Sequence, residues 1–157
     1  MTATQRELWW LAAARIYVGA VWLTYGTSKF EPDWARTEFL SAIKDCIAGT
    51  SGPIHGLLVN IVVPNQALFA QAIAVGETLV GISLILGFFT KAGALGGMFL
   101  SLTYYFATGK YAHRFGLESL ELLLFVVCLL LLVLPSARLL SVDSAISKRL
   151  SSKRLSS

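Results

Sequence analysis

Apolar residues run in four long blocks, 8–25, 67–89, 92–108 and 117–134, and polar and charged residues collect between them. A helix that crosses hydrocarbon needs about 20 mostly apolar residues. The blocks sit near that length, the third at the short end. They are continuous rather than alternating, so they suit helices and not barrel strands. The pattern predicts an all-α, integral membrane four-helix bundle in a domain spanning 1–135, followed by a basic, Ser-rich cytoplasmic tail over 136–157. Between the first two blocks lie about forty residues of a different kind. Phe39, Leu40, Ile43 and Ile47 recur at helical spacing opposite Arg36, Lys44 and Asp45. That spacing predicts a short extracytoplasmic amphipathic helix on the outer surface, opened by Pro32 and broken by Gly49, Gly52 and Pro53. Residues 54–63 are apolar but too short to span, which predicts an interfacial or re-entrant segment ending at Pro64-Asn65. Almost nothing joins the second and third blocks around Thr90 and Lys91, so those helices are expected to be antiparallel neighbours.

Composition sharpens this picture. The chain has 157 residues, 55% hydrophobic and 14% charged, and a mean hydropathy of +0.67. Soluble domains carry about 25% charged residues. The net charge of +4 lies in membrane flanks and the tail, which argues against nucleic acid as a partner. With both termini inside, the inner flanks hold Arg6, Lys91, Arg138, Lys148, Arg149, Lys153 and Arg154; the outer loops hold Lys29, Arg36, Lys44, Lys110 and Arg114. The positive-inside rule therefore favours N-in and C-in. The tail is expected to be solvated or to touch anionic lipid. Cys46 and Cys128 are distant and form no CxxC, so they are expected to be unpaired. The first block holds Arg15 and lacks a small-x-small cleavage site, which predicts a retained helix rather than a signal peptide.

The charged residues inside the blocks carry the candidate chemistry. Glu77 lies in the second block, where an isolated carboxylate is expensive and needs a partner. Arg15, Gly19, Trp22, Gly26 and Lys29 recur at steps of four and three and share one face of the first helix. Counting about 1.5 Å per residue from the inner edges puts Arg15 and Glu77 close enough to pair. The pair has three readings: a clamp fixing the register of two helices, a proton-handling or quinone-headgroup site, or no direct contact between the two residues. Gly76 and Gly81 flank Glu77, and Gly93 and Gly97 form a small-xxx-small face; both sets suit close helix packing. A second polar group gathers near the outer face, where Lys29, His113, Arg114, Glu118 and Glu121 are expected either to line the mouth of a cavity or to end a solvated helix. Both histidines fall in outer loops, which argues against haem, and no zinc or iron–sulfur ligand set is present. Nucleotide and hydrolase motifs are absent from the sequence.

The stretches LAAARIYVGAVWLTYGTSKF and VVPNQALFAQAIAVGETLVGISLILGFFTKAGALGGMFLSLTYYFATG resemble the DoxX/DoxD family of membrane proteins. The likeness rests on Arg15, on Gly26 with Lys29, and on Pro64-Asn65, Gly76-Glu77, Gly81, Leu86-Gly87 and Gly93-Ala94 in order. It implies a small four-helix protein of the prokaryotic inner membrane. DoxD-type members are similar to the large subunit of thiosulfate:quinone oxidoreductase, so the resemblance implies a membrane subunit of a quinone-linked oxidoreductase assembly, with other membrane or periplasmic subunits as partners. On that reading Glu77 and Arg15 are the catalytic candidates, and Trp22, Lys29, Glu118 and Glu121 the quinone-binding ones. The alternatives are a non-catalytic accessory subunit of a larger photosynthetic or respiratory complex and, further off, a small-solute transporter.

Overall fold

The computed structural model of the protein describes residues 3–31, 33–108 and 119–134. Among these, six α-helices and no strand form: α1 (Ala3–Ser28), α2 (Glu38–Gly49), α3 (Gly52–Leu57), α4 (Gln66–Leu86), α5 (Thr90–Ala107) and α6 (Leu120–Val133). Four of them make a ring in which α1 lies against α4, α4 against α5, and α5 against α6 along much of their lengths; α6 meets α1 more thinly. Trp22, Val80, Leu84, Leu100 and Cys128 fill the centre.

Glycine sets how closely α1 and α4 approach. A Cβ on Gly26 would sit 2.5 Å from the Thr78 backbone nitrogen, and one on Gly81 would sit 2.5 Å from that of Leu23. Backbone therefore touches backbone, the close packing that small residues allow where lipid competes with side chains for apolar contact. Gly19 lies against Ile85 in the same way. These contacts fix an antiparallel register in which Thr27 stands level with Glu77. The predicted face of α1 is thus the buried one: Arg15, Gly19, Trp22 and Gly26 are all buried. On α1, the hydroxyls of Thr24 and Thr27 donate to the carbonyls of Ala20 and Leu23, four residues back, which satisfies them without water.

The second block ends earlier than its apolar run. Gly87 closes α4 in the left-handed region at φ 64°, its N–H bonded to Ser83 O, and Phe89 follows at φ 51°. The Ser83 hydroxyl donates to Phe88 O at 2.6 Å and holds this turn. The connection is therefore Gly87-Phe88-Phe89, while Thr90 and Lys91, expected as the turn, open α5. The antiparallel pairing of α4 and α5 is as expected.

The long loop is folded on itself. α2 begins at Glu38, after a turn in which Thr37 N–H bonds Asp33 O, rather than directly after residue 32. Its apolar face does not lie free on a surface: Phe39 and Ile43 are buried against Leu58, Val62 and Ala70. Residues 54–63 are helical. α3 widens after Leu57 into a π-helical turn over Leu58–Val62, closed by Val63 N–H on Leu58 O at 3.0 Å. One side of this segment supports α2, and the other exposes Leu57, Val59 and Ile61.

Among the described residues, α4 is the helix both long and apolar enough to cross a membrane. α6 is apolar, but its 14 residues reach about 21 Å, short of the block predicted over 117–134. Residues 117 and 118, and the tail over 136–157, lie outside the described residues. The outside of the bundle is nonetheless apolar: Leu79, Phe99, Leu123 and Val133 are each at least 60% exposed. A water-facing surface avoids contiguous patches of this kind.

The glycine register predicts a sharp contrast. Gly81→Ala should destabilise the fold by about 1–3 kcal/mol through overpacking, read as a drop in thermal midpoint in detergent. Gly76→Ala should be neutral, because its nearest neighbour, a Leu100 methyl, is 3.8 Å away.

Candidate functional site

The α1–α4 register decides which cation meets Glu77. Lys29 lies two residues beyond the level of Glu77, and helical side chains tilt toward the helix N-terminus, so the ammonium swings back onto the carboxylate. Lys29 Nζ stands 2.5 Å from Glu77 Oε1, with the two side chains 13% and 1% exposed. Tyr104 of α5 completes a triangle: its hydroxyl accepts from Lys29 Nζ at 2.8 Å and donates to the same Glu77 oxygen. Linked donors of this kind strengthen one another in a low-dielectric site. The Lys29 ammonium also lies 5.5 Å from the ring centre of Trp34 and 5.1 Å from that of Tyr104, within cation–π range.

The expected Arg15–Glu77 pair is not the one that forms. Arg15 is fully buried on the predicted face of α1, but it lies twelve residues from Thr27, about 18 Å along the axis. No guanidinium reaches that far. Depth counted from the ends of apolar blocks misplaced the two residues, because α4 stops at Leu86 and α1 continues to Ser28.

The triangle forms one wall of a cavity of about 330 Å³ lined by residues from all four bundle helices. Trp22, Tyr25 and Lys29 come from α1 and its end, Glu77 from α4, Ser101 and Tyr104 from α5, and Glu121 with two leucines from α6. Four of the predicted site residues, Trp22, Lys29, Glu77 and Glu121, therefore share one space. Arg15 does not line it. Glu118, His113 and Arg114 lie outside the described residues. Two constellations read separately from the sequence, one around Glu77 and one near the outer face with Lys29 and Glu121, are a single site.

Two cavity-lining residues present polar atoms that lack a hydrogen-bond partner among the described residues. Glu77 Oε2 and Ser101 Oγ are inaccessible to solvent and unbonded, whereas the Trp22 N–H is directed to the Cys128 thiol. Buried polar atoms are rarely left so, since each costs about 1–3 kcal/mol. Neither Ser101 nor Tyr104 stands out in the sequence as a site residue. The available signal was the small-residue face at Gly93 and Gly97, which orients α5 and carries Ser101 and Tyr104 inward. Both cysteines are free. Cys46, outside the bundle helices, is half-buried; burial chiefly, and the Asp45 carboxylate after it, push its thiol above the usual range. It is not poised as a nucleophile.

An all-helical, apolar-surfaced bundle holding a buried carboxylate–lysine–tyrosine cluster beside a cavity is the frame of a helical membrane protein. A family model described as DoxX matches residues 10–110, and the chain belongs to the DoxX family. Neither a curated protein nor a solved structure matches the chain.

The pairing predicts a specific pattern of couplings. Lys29→Met and Glu77→Gln should each cost about 3 kcal/mol or more by leaving a buried charge alone. The double variant should cost less than the sum by about 1–3 kcal/mol, whereas Arg15 and Glu77 variants should add within about 0.5 kcal/mol. Thermal unfolding of the set in one detergent gives the couplings.

Proposed function

We propose that this DoxX-family membrane protein is a subunit of a quinone-interacting redox assembly, with the cavity between the four bundle helices as the headgroup site. The observation that carries the reading is the set of unbonded buried polar atoms around a cavity that already holds a carboxylate, an ammonium and a phenol. The volume is at the lower end of small-molecule sites, about 300–1,000 Å³, which suits a headgroup and not a whole isoprenoid lipid. Apolar walls with a few convergent polar groups are what such a ligand needs.

The residues fit a quinone. The Ser101 hydroxyl is a donor toward a ring oxygen. A bound quinone would supply two-electron, two-proton redox chemistry. On this reading the electrons come from a partner, thiosulfate-oxidising in the DoxD-type version, or from a bound small reductant. Lys29, Tyr104 and Glu77 form a hydrogen-bonded run of three proton-bearing groups at the cavity wall. Their role is to hold and pass protons between the ring and the outer side. Tyr25 and Leu120, the half-exposed residues of the lining, mark where a hydrocarbon tail leaves along the thin α1–α6 seam. The same reading places the protein in the prokaryotic inner membrane as a four-pass bundle with both termini inside. With α6 as the fourth bundle helix, the number of crossings on this reading is even, as both termini on one side require.

The test is quinone reduction by the purified full chain with thiosulfate and its candidate oxidising subunit. Glu77→Gln, in protein that still melts cooperatively, should lower turnover at least about 100-fold, the usual scale of a lost acid–base group. Unchanged turnover would remove Glu77 from the chemistry. A stable, stoichiometric complex that binds no quinone would instead favour the accessory reading.

A further inference from the structure

The Lys29–Glu77–Tyr104 triangle has two sides. On one side Lys29 lines the cavity. Trp34 does not line it, yet its ring centre stands 5.5 Å from the same ammonium. Lys29 therefore separates the cavity from Trp34. An ammonium carries three N–H donors. Glu77 Oε1 and the Tyr104 hydroxyl take two of them, and the third meets no acceptor among the described residues. An indole face attracts a cation more strongly than any other aromatic side chain. The Lys29 side chain is 13% exposed, so little water stands by to screen that attraction.

Trp34 belongs to a different unit of the fold. α1 ends at Ser28, and the chain turns with the Trp34 N–H bonded to Glu31 O at 3.1 Å. The Trp34 carbonyl then accepts from the Phe39 N–H at 2.9 Å, in the first turn of α2. The indole packs on the Phe39 ring, their centres 5.3 Å apart. Phe39 in turn is buried in the core that α2 makes with Leu58, Val62 and Ala70. Glu31 and Asp33, the acidic residues of this turn, are exposed, and the ion pair of Lys29 is with Glu77. One ring thus meets the loop helix and the cation of the site together. We propose that Trp34 is a positioning residue: its ring closes the triangle on the side away from the cavity, holds the Lys29 ammonium on Glu77, and makes the site depend on the seating of α2. The inference stands on the triangle alone and goes beyond the quinone reading.

The experiment is acetylation of the detergent-purified full chain by a water-soluble N-hydroxysuccinimide acetate at one pH. Mass spectrometry of the peptides reads the rates at Lys29 and at Lys44, which is exposed on α2 and serves as the internal standard. Lys29 should react far more slowly than Lys44 in the unaltered chain. Trp34→Ala should raise the relative Lys29 rate about tenfold or more, the scale of a desolvated cation–π contact. Trp34→Phe keeps a ring face and should stay close to the unaltered chain. Phe39→Leu should raise the rate by a smaller factor, through a looser seat for the ring. Should Trp34→Ala fail to fold, Trp34→Leu replaces it. A Trp34 that served packing alone would lower the thermal midpoint and leave the Lys29 rate where it was, which overturns the proposal. A Trp34→Phe rate as fast as that of Trp34→Ala, or a Lys29 as reactive as Lys44 in the unaltered chain, overturns it as well. An unchanged rate in Phe39→Leu overturns the link to α2. Because no quinone enters the measurement, its failure and that of the quinone reading are told apart.

Discussion

A carboxylate enclosed by apolar helices has to be neutralised where it stands, and in this chain that requirement falls on Glu77. Its charge is met by Lys29 from the end of α1 and by the Tyr104 hydroxyl from α5. Three helices are thereby tied at one point. Taking two charges out of water is costly even when they pair, so a buried pair is weak evidence for stability as such. What it fixes is register. Lys29 reaches Glu77 only if α1 and α4 slide to the position that Gly26 and Gly81 permit, and the glycines can close only if the charges meet. The two constraints are the same geometry seen from backbone and from side chain.

That register also makes the cavity. With α1 held so close to α4, and α5 held by its own small residues against α4 and by Gly97 against Cys128, the space left over opens toward α6. The thin α1–α6 contact is where the ring is least filled. Glu77, whose Oε2 is unused by the triangle, also lines that space. A cluster whose members were all satisfied would read as a clamp. This one has capacity to spare on the cavity side, which is why its arrangement points past structure toward a ligand.

Much of this was legible in the residues. The face of α1 carrying Arg15, Gly19, Trp22, Gly26 and Lys29 follows from spacing alone, as does the antiparallel α4–α5 pair and the amphipathic α2. The cost of burying Glu77 identified the centre of the site before any geometry. Its partner was misread, because apolar composition marks where a block can end and not where the helix does end. Gly87 in the left-handed region stops α4 while Phe88 and Phe89 still look like span, and Thr24, Thr27 and Ser28 continue α1 past the last strongly apolar residue. A few residues of error at each end became a misalignment of about 18 Å. Ser101 and Tyr104 were hidden for another reason: a serine or tyrosine in an apolar helix is ordinary, and only the packing of α5 shows that these two look inward. The covering of α2 was equally out of reach, since periodicity reveals an apolar face without saying whether lipid or protein meets it.

The most direct measurement is a reciprocal charge exchange. Lys29→Glu combined with Glu77→Lys should restore folded, monodisperse protein with a thermal midpoint far above either single variant, because the two positions face each other. Arg15→Glu combined with Glu77→Lys should restore nothing. Rescue by the Arg15 exchange, or none by the Lys29 exchange, would contradict the register on which the site is built.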